Sequence, residues 1–275
     1  MTKIKKSRWK TLTIVLMVFP VFLSVAIWAL QTKWSHRKEI FSPLYEKEVL
    51  TGETDYQTFW LQTGLGKPAV DYLLATGDLQ GIKNVQQAFF SEDHVECKPV
   101  FGFLVRSDRI KKEESAPLVD LQAGDILLSF STHSVGWTHG HAGLVLSENE
   151  VLECTSVGRN SRIVKPSHWR KYSNYLVLRV KGVKRDVQEQ VATYARENLR
   201  DVPYRLMAGI FGAKAMDVSE SYFGLQCAYL VWYAWQVAGY DLDADGGKLV
   251  TPKDILQSEF LEIIQVYGIN PKELD

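Results

Sequence analysis

Apolar residues recur at helical spacing in the stretch that runs from Cys227 to Gly239. Glycine is common where a helix stops, so the pattern predicts a buried helix that begins at Cys227. A thiol in the first turn of a helix lies at the positive end of the helix dipole, which favours the thiolate, the form that attacks carbonyls. Cys227 is therefore a candidate nucleophile, with a small apolar core residue as the alternative. The residues on the predicted buried face are Cys227, Leu230, Val231, Ala234, Trp235 and Ala238.

Short apolar runs separated by polar turns occupy the middle of the chain. Runs of this length predict the strands of an antiparallel sheet. Residues 186–199 have the amphipathic spacing of a helix. Strands followed by helices indicate an α+β fold. The predicted strands are 125–130, 142–146, 151–155 and 175–180.

Charge divides the N-terminal part of the chain. Residues 1–10 carry five basic side chains, whereas residues 11–30 carry no charge. Twenty uncharged residues match the length of a membrane-spanning helix, so residues 11–30 are predicted to be a single-pass signal-anchor. The basic residues favour a cytoplasmic segment 1–10, which places the rest of the chain outside the membrane. Cleavage after Ala26, as in a signal peptide, is the alternative.

Glycines and prolines separate short amphipathic stretches between residues 31 and 115. The pattern predicts a small helical accessory region, with helices after Thr54, after Pro68 and from Ile82 to Phe90. The charged run at 111–115 predicts a boundary with a second domain, 116–275. The accessory region is interpreted as a packing unit and spacer, with a partner surface or a cover over a groove as the alternatives.

Composition narrows the function classes. The chain has 275 residues and 46% hydrophobic content, which is ample for a packed core. Its 32 basic and 32 acidic side chains balance, and this argues against nucleic acid as the main partner. Its three cysteines are too few and too scattered for a disulfide framework or a zinc knuckle.

A nucleophilic cysteine needs a base within hydrogen-bond reach and a third group that orients the base. His141 precedes the predicted strand 142–146, and Glu153 lies in the next run. If Gly143 pairs with Glu153, then Glu153 lies diagonally next to His141 on one face of the sheet. The other register places Cys154 on that face instead. The sequence does not fix the register, and a structural role for His141 is the alternative.

Two metal sites are considered and set aside. Asp241, Asp243, Asp245 and Gly246 match the first half of a calcium loop, but Pro252 stands at the twelfth position, where a bidentate Glu belongs. The segment is therefore interpreted as a plain acidic turn. A zinc site also lacks the usual tight ligand spacing, and its ligands would be His133, His139, His141 and Cys227.

Seven short motifs occur in a characteristic order at 124–127, 138–144, 151–155, 202–204, 225–231, 239–242 and 250–252. Their order and spacing resemble those of the circularly permuted NlpC-type cysteine peptidases and amidases. These form the YiiX- and YaeF-like branch of the papain-like superfamily, which is related to lecithin-retinol acyltransferases. The resemblance implies a papain-like α+β domain, an antiparallel sheet packed with helices, over 116–275.

The resemblance also implies roles for single residues. Cys227 would be the nucleophile, His141 the base and Glu153 the residue that orients the base. Tyr204, in a Pro-Tyr element of the branch, would bind substrate or pack against its neighbours. The branch commonly has Cys-Ser-Glu at the nucleophile, whereas Ala228 and Tyr229 follow Cys227 here. This departure bears on substrate choice more than on the triad.

The expected function is that of a membrane-anchored cysteine hydrolase that cleaves amide bonds through a thioester, without a metal or cofactor. By the resemblance its substrate would be a cell-wall peptide, met by a catalytic domain outside the cell membrane. One alternative is an acyltransferase or lipid-amide hydrolase, which an apolar groove beside Cys227 would favour. The other is a non-catalytic binding module, which a wide separation of Cys227 from His141 would favour.

Overall fold

The computed structural model describes residues 55–91, 95–101, 105–110, 115–134, 137–208, 214–215, 217–220 and 223–274. Within these ranges, none of the helices is long and apolar enough to cross a bilayer. The predicted basic segment 1–10 and signal-anchor 11–30 lie outside the described residues, as does the accessory region up to residue 54.

Three short helices come first in the part of the chain that the structure describes. Asp55 and Asp78 cap the first and third helices, because their carboxylates accept hydrogen bonds from exposed N–H groups of the first turn. The first two helices end at Gly64 and Gly77, whose φ angles of 68° and 69° are left-handed. The three helices are α1 Tyr56–Thr63, α2 Lys67–Thr76 and α3 Leu79–Phe90.

Among the described residues, ten strands form two antiparallel sheets. The larger sheet has the order β10-β9-β3-β6-β7-β8 and the smaller has the order β1-β2-β4-β5. The strands are β1 Val95–Phe101, β2 Val105–Ile110, β3 Ile126–Ser129, β4 Thr132–Ser134, β5 Trp137–Thr138, β6 His141–Ser147, β7 Glu150–Glu153, β8 Arg162–Val164, β9 Tyr175–Val180 and β10 Leu261–Tyr267. The later helices are α4 Arg185–Asn198, α5 Cys227–Val237 and α6 Pro252–Leu256, and 3-10 turns occupy Pro166–Lys171 and Pro271–Glu273.

The larger sheet is buried on both faces, and each face belongs to its own apolar cluster. Side chains alternate between faces along a strand. Ile126 and Leu128 pack into a cluster with residues of α4 and α5. Leu127, between them, packs into a second cluster with residues of α1, α2 and α3. The chain therefore has an α+β architecture in which helices cover both faces of an antiparallel sheet.

The predicted strands at 125–130, 142–146, 151–155 and 175–180 are confirmed, as are the helix near 186–199 and the helix that begins at Cys227. The accessory region differs from its description as helical, because residues 95–101 and 105–110 form strands. Its helices also contact the larger sheet. Val266 donates a backbone hydrogen bond to Gly64 at 2.7 Å, and Gly66 donates one to Ile264 at 2.9 Å. The helices before residue 91 thus share one core with β10.

Candidate active site

His141 is the first residue of β6, at the end of the larger sheet. It pairs with Ser129 of β3 and is 4% exposed. Gly140, just before it, has a φ of 73°, and a Cβ there would lie 2.9 Å from the backbone oxygen of Ser129. A glycine is needed at this turn, which fixes the point where the strand begins and hence the position of the imidazole.

The strand register places Glu153 beside His141. Gly143 pairs with Glu153, which is the first of the two registers considered from the sequence. Because Gly143 lacks a side chain, the indole of Trp169 fits against the sheet; a Cβ at Gly143 would lie 2.6 Å from that ring. The ring of His141 stacks on Trp169 with 4.9 Å between centroids and 7° between planes. The indole of Trp169 therefore supports one face of the imidazole ring.

Glu153 is fully buried, and its two oxygens have different partners. Oε2 lies 3.2 Å from Nε2 of His141. Oε1 accepts hydrogen bonds from Nε and a terminal nitrogen of Arg162, at 3.2 and 3.0 Å. A buried carboxylate is tolerated only when it is paired and hydrogen-bonded, and here both conditions hold.

Cys227 is the first residue of α5, and Gln226 caps the helix just before it. Oε1 of Gln226 accepts a hydrogen bond from the Ala228 N–H at 3.1 Å and lies 3.5 Å from the Cys227 sulfur. Nε2 of Gln226 donates to the carbonyl of Val250 at 2.5 Å. The amide therefore ties the start of the nucleophile helix to the segment before α6. The sequence reasoning did not single out Gln226.

The predicted triad residues influence each other's charge. Burial alone lowers the pKa of His141, but hydrogen bonds with Cys227 and Glu153, and their negative charges, raise it to about 9. Burial likewise raises the pKa of Glu153, but the hydrogen bond and positive charge of His141 outweigh it and lower that pKa to about 2. His141 and Glu153 are thus an ion pair at neutral pH. With Nε2 directed at Glu153, Nδ1 is the nitrogen left to face Cys227.

A cleft of about 230 Å³ opens beside Cys227, His141 and Tyr204. Its wall is cationic, because Arg109, Arg159 and Arg162 line it, together with two further histidines. Among the described residues that line the cleft, none is acidic. The apolar residues of the wall include Pro99 and Val100 of β1, and Tyr172 and Tyr204 also line the cleft.

Tyr204 lines the same cleft and is half-buried. Its backbone N–H donates to the Arg159 carbonyl at 2.9 Å, and its ring packs against the core cluster on the α5 side of the sheet. Burial raises the pKa of Tyr204, and the charges of Cys227 and Cys154 raise it further. The phenol therefore keeps its proton and can donate a hydrogen bond into the cleft. The packing and substrate-binding interpretations are compatible here.

The residues set aside as zinc ligands do not converge. His139 bonds to the Ser134 hydroxyl at 2.8 Å, and His133 lies 3.2 Å from an Asp108 oxygen. In the part of the chain that the structure describes, the potential metal-binding groups lie elsewhere. They are Cys97, Asp108 and His133 in the smaller sheet, and Asp243, Asp245 and Asp254 near α6.

Several cleft residues were missed by sequence reasoning. Arg109 comes from β2, where its guanidinium lies 3.4 Å above the ring of Tyr172. Arg159 lies in the segment between β7 and β8, and Arg162 is the first residue of β8. The sequence feature that could have indicated Arg159 and Arg162 is the density of basic residues at 159–171. Strand and helix periodicity does not assign a function to such a cluster.

Comparisons with known proteins give one structural similarity. No family model matches the chain, and no curated protein matches it. A crystal structure of the metalloprotein YiiX from Escherichia coli O157:H7 is similar to the chain, with 16% sequence identity and a TM-score of 0.39. The match covers 52% of this chain and 96% of that one. Because these values are low, the function proposed below rests on the geometry of the cleft.

Proposed function

We propose that the protein is a cysteine hydrolase that cleaves amide bonds. The observation that carries this proposal is that Cys227 and His141 line one cleft, while the buried carboxylate of Glu153 lies 3.2 Å from Nε2 of His141. A nucleophile, a base and a group that orients the base are the parts that acyl transfer requires. The motif order that resembles permuted NlpC-type peptidases agrees with this reaction class.

The reaction would run in two steps. The Cys227 thiolate attacks the amide carbonyl carbon, and the N–H of Cys227 at the start of α5 stabilises the oxyanion. His141, charged through its pairing with Glu153, gives its proton to the departing amine as the carbon–nitrogen bond breaks. The neutral imidazole then takes a proton from water, whose oxygen attacks the thioester. A carboxylic acid leaves, and the Cys227 thiolate beside the protonated His141 is restored.

The charge of the cleft supports a substrate that carries an anionic group. Arg159 is exposed. Arg162 pairs with Glu153, but the side chain of Arg162 remains 46% exposed. Guanidinium groups bind carboxylates through paired hydrogen bonds. We propose a peptide amide with a free carboxylate near the scissile bond. A cell-wall peptide meets this description and suits a domain that the predicted anchor, outside the described residues, would hold at the cell membrane.

The alternatives receive less support from the same observations. A lipid-amide hydrolase or acyltransferase calls for an apolar groove, whereas three arginines line this one. A non-catalytic module calls for a separated cysteine and histidine, whereas Cys227 and His141 line the same cleft and the thiol is among the groups that raise the pKa of His141.

The substrate proposal is tested with matched peptide amides that differ only in a free or amidated carboxyl terminus. We expect the full chain to cleave the free carboxylate with a kcat/KM about tenfold higher, since charge-assisted hydrogen bonds contribute about 1.5–3 kcal/mol. Arg159→Gln should raise KM for the free carboxylate alone. Arg185→Gln is the control, because Arg185 pairs with Glu189 away from the cleft. Equal turnover of both peptides would exclude the carboxylate while leaving amide hydrolysis in place.

A further inference from the structure

Three carboxylates converge between α5 and α6. One oxygen from each of Asp243, Asp245 and Asp254 lies within 4.8 Å of the other two. Asp243 and Asp245 belong to the loop after α5, and Asp254 belongs to the first turn of α6. Among the described residues, Lys214 pairs with this cluster through Oδ2 of Asp243.

Asp243 is buried, and its hydrogen bonding is incomplete. It is 7% exposed, and its Oδ1 is buried without a hydrogen-bond partner among the described residues. A buried carboxylate oxygen without a donor costs free energy, and most such groups in proteins are satisfied by a proton donor, a water or an ion. The orphaned oxygen belongs to a buried carboxylate of the cluster, so it points to a missing cation.

The other two carboxylates each use one oxygen and leave one for a ligand. Oδ1 of Asp245 accepts the Gly247 N–H at 2.7 Å. Oδ2 of Asp254 accepts the N–H and the hydroxyl of Thr251, at 2.8 and 2.7 Å. The cluster thus offers one oxygen from each side chain, and Oδ1 of Asp243 has no hydrogen-bond partner among the described residues. Asp245 is exposed, which gives an ion a path to the buried oxygen.

We propose that this cluster binds a calcium ion. The donors are all oxygens, which hard cations prefer, and no sulfur or imidazole contributes. Oxygens on opposite sides of Ca²⁺ lie about 4.6–5.2 Å apart, and oxygens on the same side lie closer, so separations within 4.8 Å fit one ion. The site is not the calcium loop considered from the sequence, in which Pro252 occupies the twelfth position. Its third carboxylate comes two residues later, from Asp254.

The position of the site gives the ion a structural consequence. Asp254 and Thr251 cap α6 reciprocally. The carbonyl of Val250, just before this cap, accepts the side chain of Gln226, which caps the helix of Cys227. Pro252 packs against the turn at Gly140, where a Cβ would lie 3.2 Å from its ring, next to His141. A bound ion would thus fix a segment that contacts the supports of both Cys227 and His141.

Terbium luminescence tests the site on the full chain. Tb³⁺ occupies calcium sites and is excited through a nearby tryptophan. Trp232 is suitably placed, since its Nε1 donates to Asp241 at 2.7 Å and the Lys214 ammonium lies 4.8 Å from its ring. We expect a saturable signal that Ca²⁺ displaces, and an increase of Tm with Ca²⁺ concentration. No signal, together with no Tm change at about 5 mM Ca²⁺, overturns the proposal, because weak extracellular sites bind below that range.

A matched pair of variants ties the signal to the cluster. Asp245 and Asp217 are both exposed, and each accepts the N–H two residues ahead, at 2.7 and 2.8 Å. Asp245→Asn should weaken Ca²⁺ at least tenfold without changing the Tm of the calcium-free protein, whereas Asp217→Asn should bind like wild type. Equal affinity in both variants places the ion elsewhere and overturns the site. Mg²⁺ binding as tight as Ca²⁺ overturns the assignment of the ion.

Discussion

Replacing Cys227 by serine should reduce amide hydrolysis at least about 10⁴-fold, because the attacking sulfur is lost while the shape of the site is kept. Serine has an oxygen in place of the sulfur and almost the same volume, so the Tm should change by no more than a few degrees. The measurement is kcat for a peptide amide, together with a thermal melt of each protein. Cys97→Ser is the control, because Cys97 is exposed in the smaller sheet.

Two results would contradict this expectation. If Cys227→Ser keeps more than a tenth of the wild-type rate, another group is the nucleophile. If Cys97→Ser loses as much activity as Cys227→Ser, the loss is a general effect of replacing a cysteine and does not identify Cys227 as the nucleophile.

Glu153→Gln should lower kcat about 10²- to 10⁴-fold, because an amide at this position can hold His141 in the wrong tautomer and removes the charge that stabilises the imidazolium. The pH dependence separates this role from damage to the fold. Without the carboxylate, the pKa of His141 should fall from about 9 toward its ordinary value of 6.5. The expected readout is a pH–rate profile whose His141 limb moves to lower pH.

Glu150→Gln is the matched control for Glu153. Both glutamates lie on β7, but Glu150 pairs at the surface with Arg196. Its replacement should leave kcat and the pH profile unchanged. An unchanged profile in Glu153→Gln, with activity lost, would mean that Glu153 supports the fold and not the charge of His141.

The same pair makes the stability of the protein depend on pH in a defined direction. The pKa of His141 is raised from 6.5 to about 9, so its contribution is complete below pH 6.5 and is lost as pH rises through 9. The pKa of Glu153 is lowered from 4.5 to about 2, so its contribution is present above pH 4.5 and is lost as pH falls through 2. Between about pH 4.5 and pH 6.5 the ion pair therefore contributes its full stabilisation.

Local pattern was enough to predict the elements that carry the candidate triad. The helix beginning at Cys227 follows from a strictly periodic apolar face, and β6 and β7 follow from short apolar runs. The pairing of Gly143 with Glu153 was one of two registers that the sequence allows. A shift of one residue keeps the alternation of side chains and places Cys154 on the His141 face instead, so the pattern alone could not decide between them. The deciding contact is the indole of Trp169, which fills the space above Gly143 and stacks on His141.

The walls of the cleft could not be predicted, because they depend on contacts between distant parts of the chain. Pro99 and Arg109 come from strands in a region whose pattern was read as helical throughout. These strands reach the cleft because β2 pairs with β4, which lies shortly before His141. The acidic cluster is a similar case, since Asp254 joins Asp243 and Asp245 only when α6 folds back against the loop after α5.

Thiol labelling against pH is the most direct test of the pairing of Cys227 with His141. The full chain and its His141→Ala variant are treated with iodoacetamide between pH 5 and pH 9, and each cysteine is mapped by mass spectrometry. Free thiols have a pKa of about 8.5, whereas a thiol beside an imidazolium is partly thiolate at lower pH. The account predicts that at pH 6 Cys227 labels at least tenfold faster than Cys97, although Cys97 is the exposed one, and that His141→Ala removes this advantage. If Cys227 reacts no faster than Cys97, or if His141→Ala leaves its rate unchanged, the two residues do not form a catalytic pair.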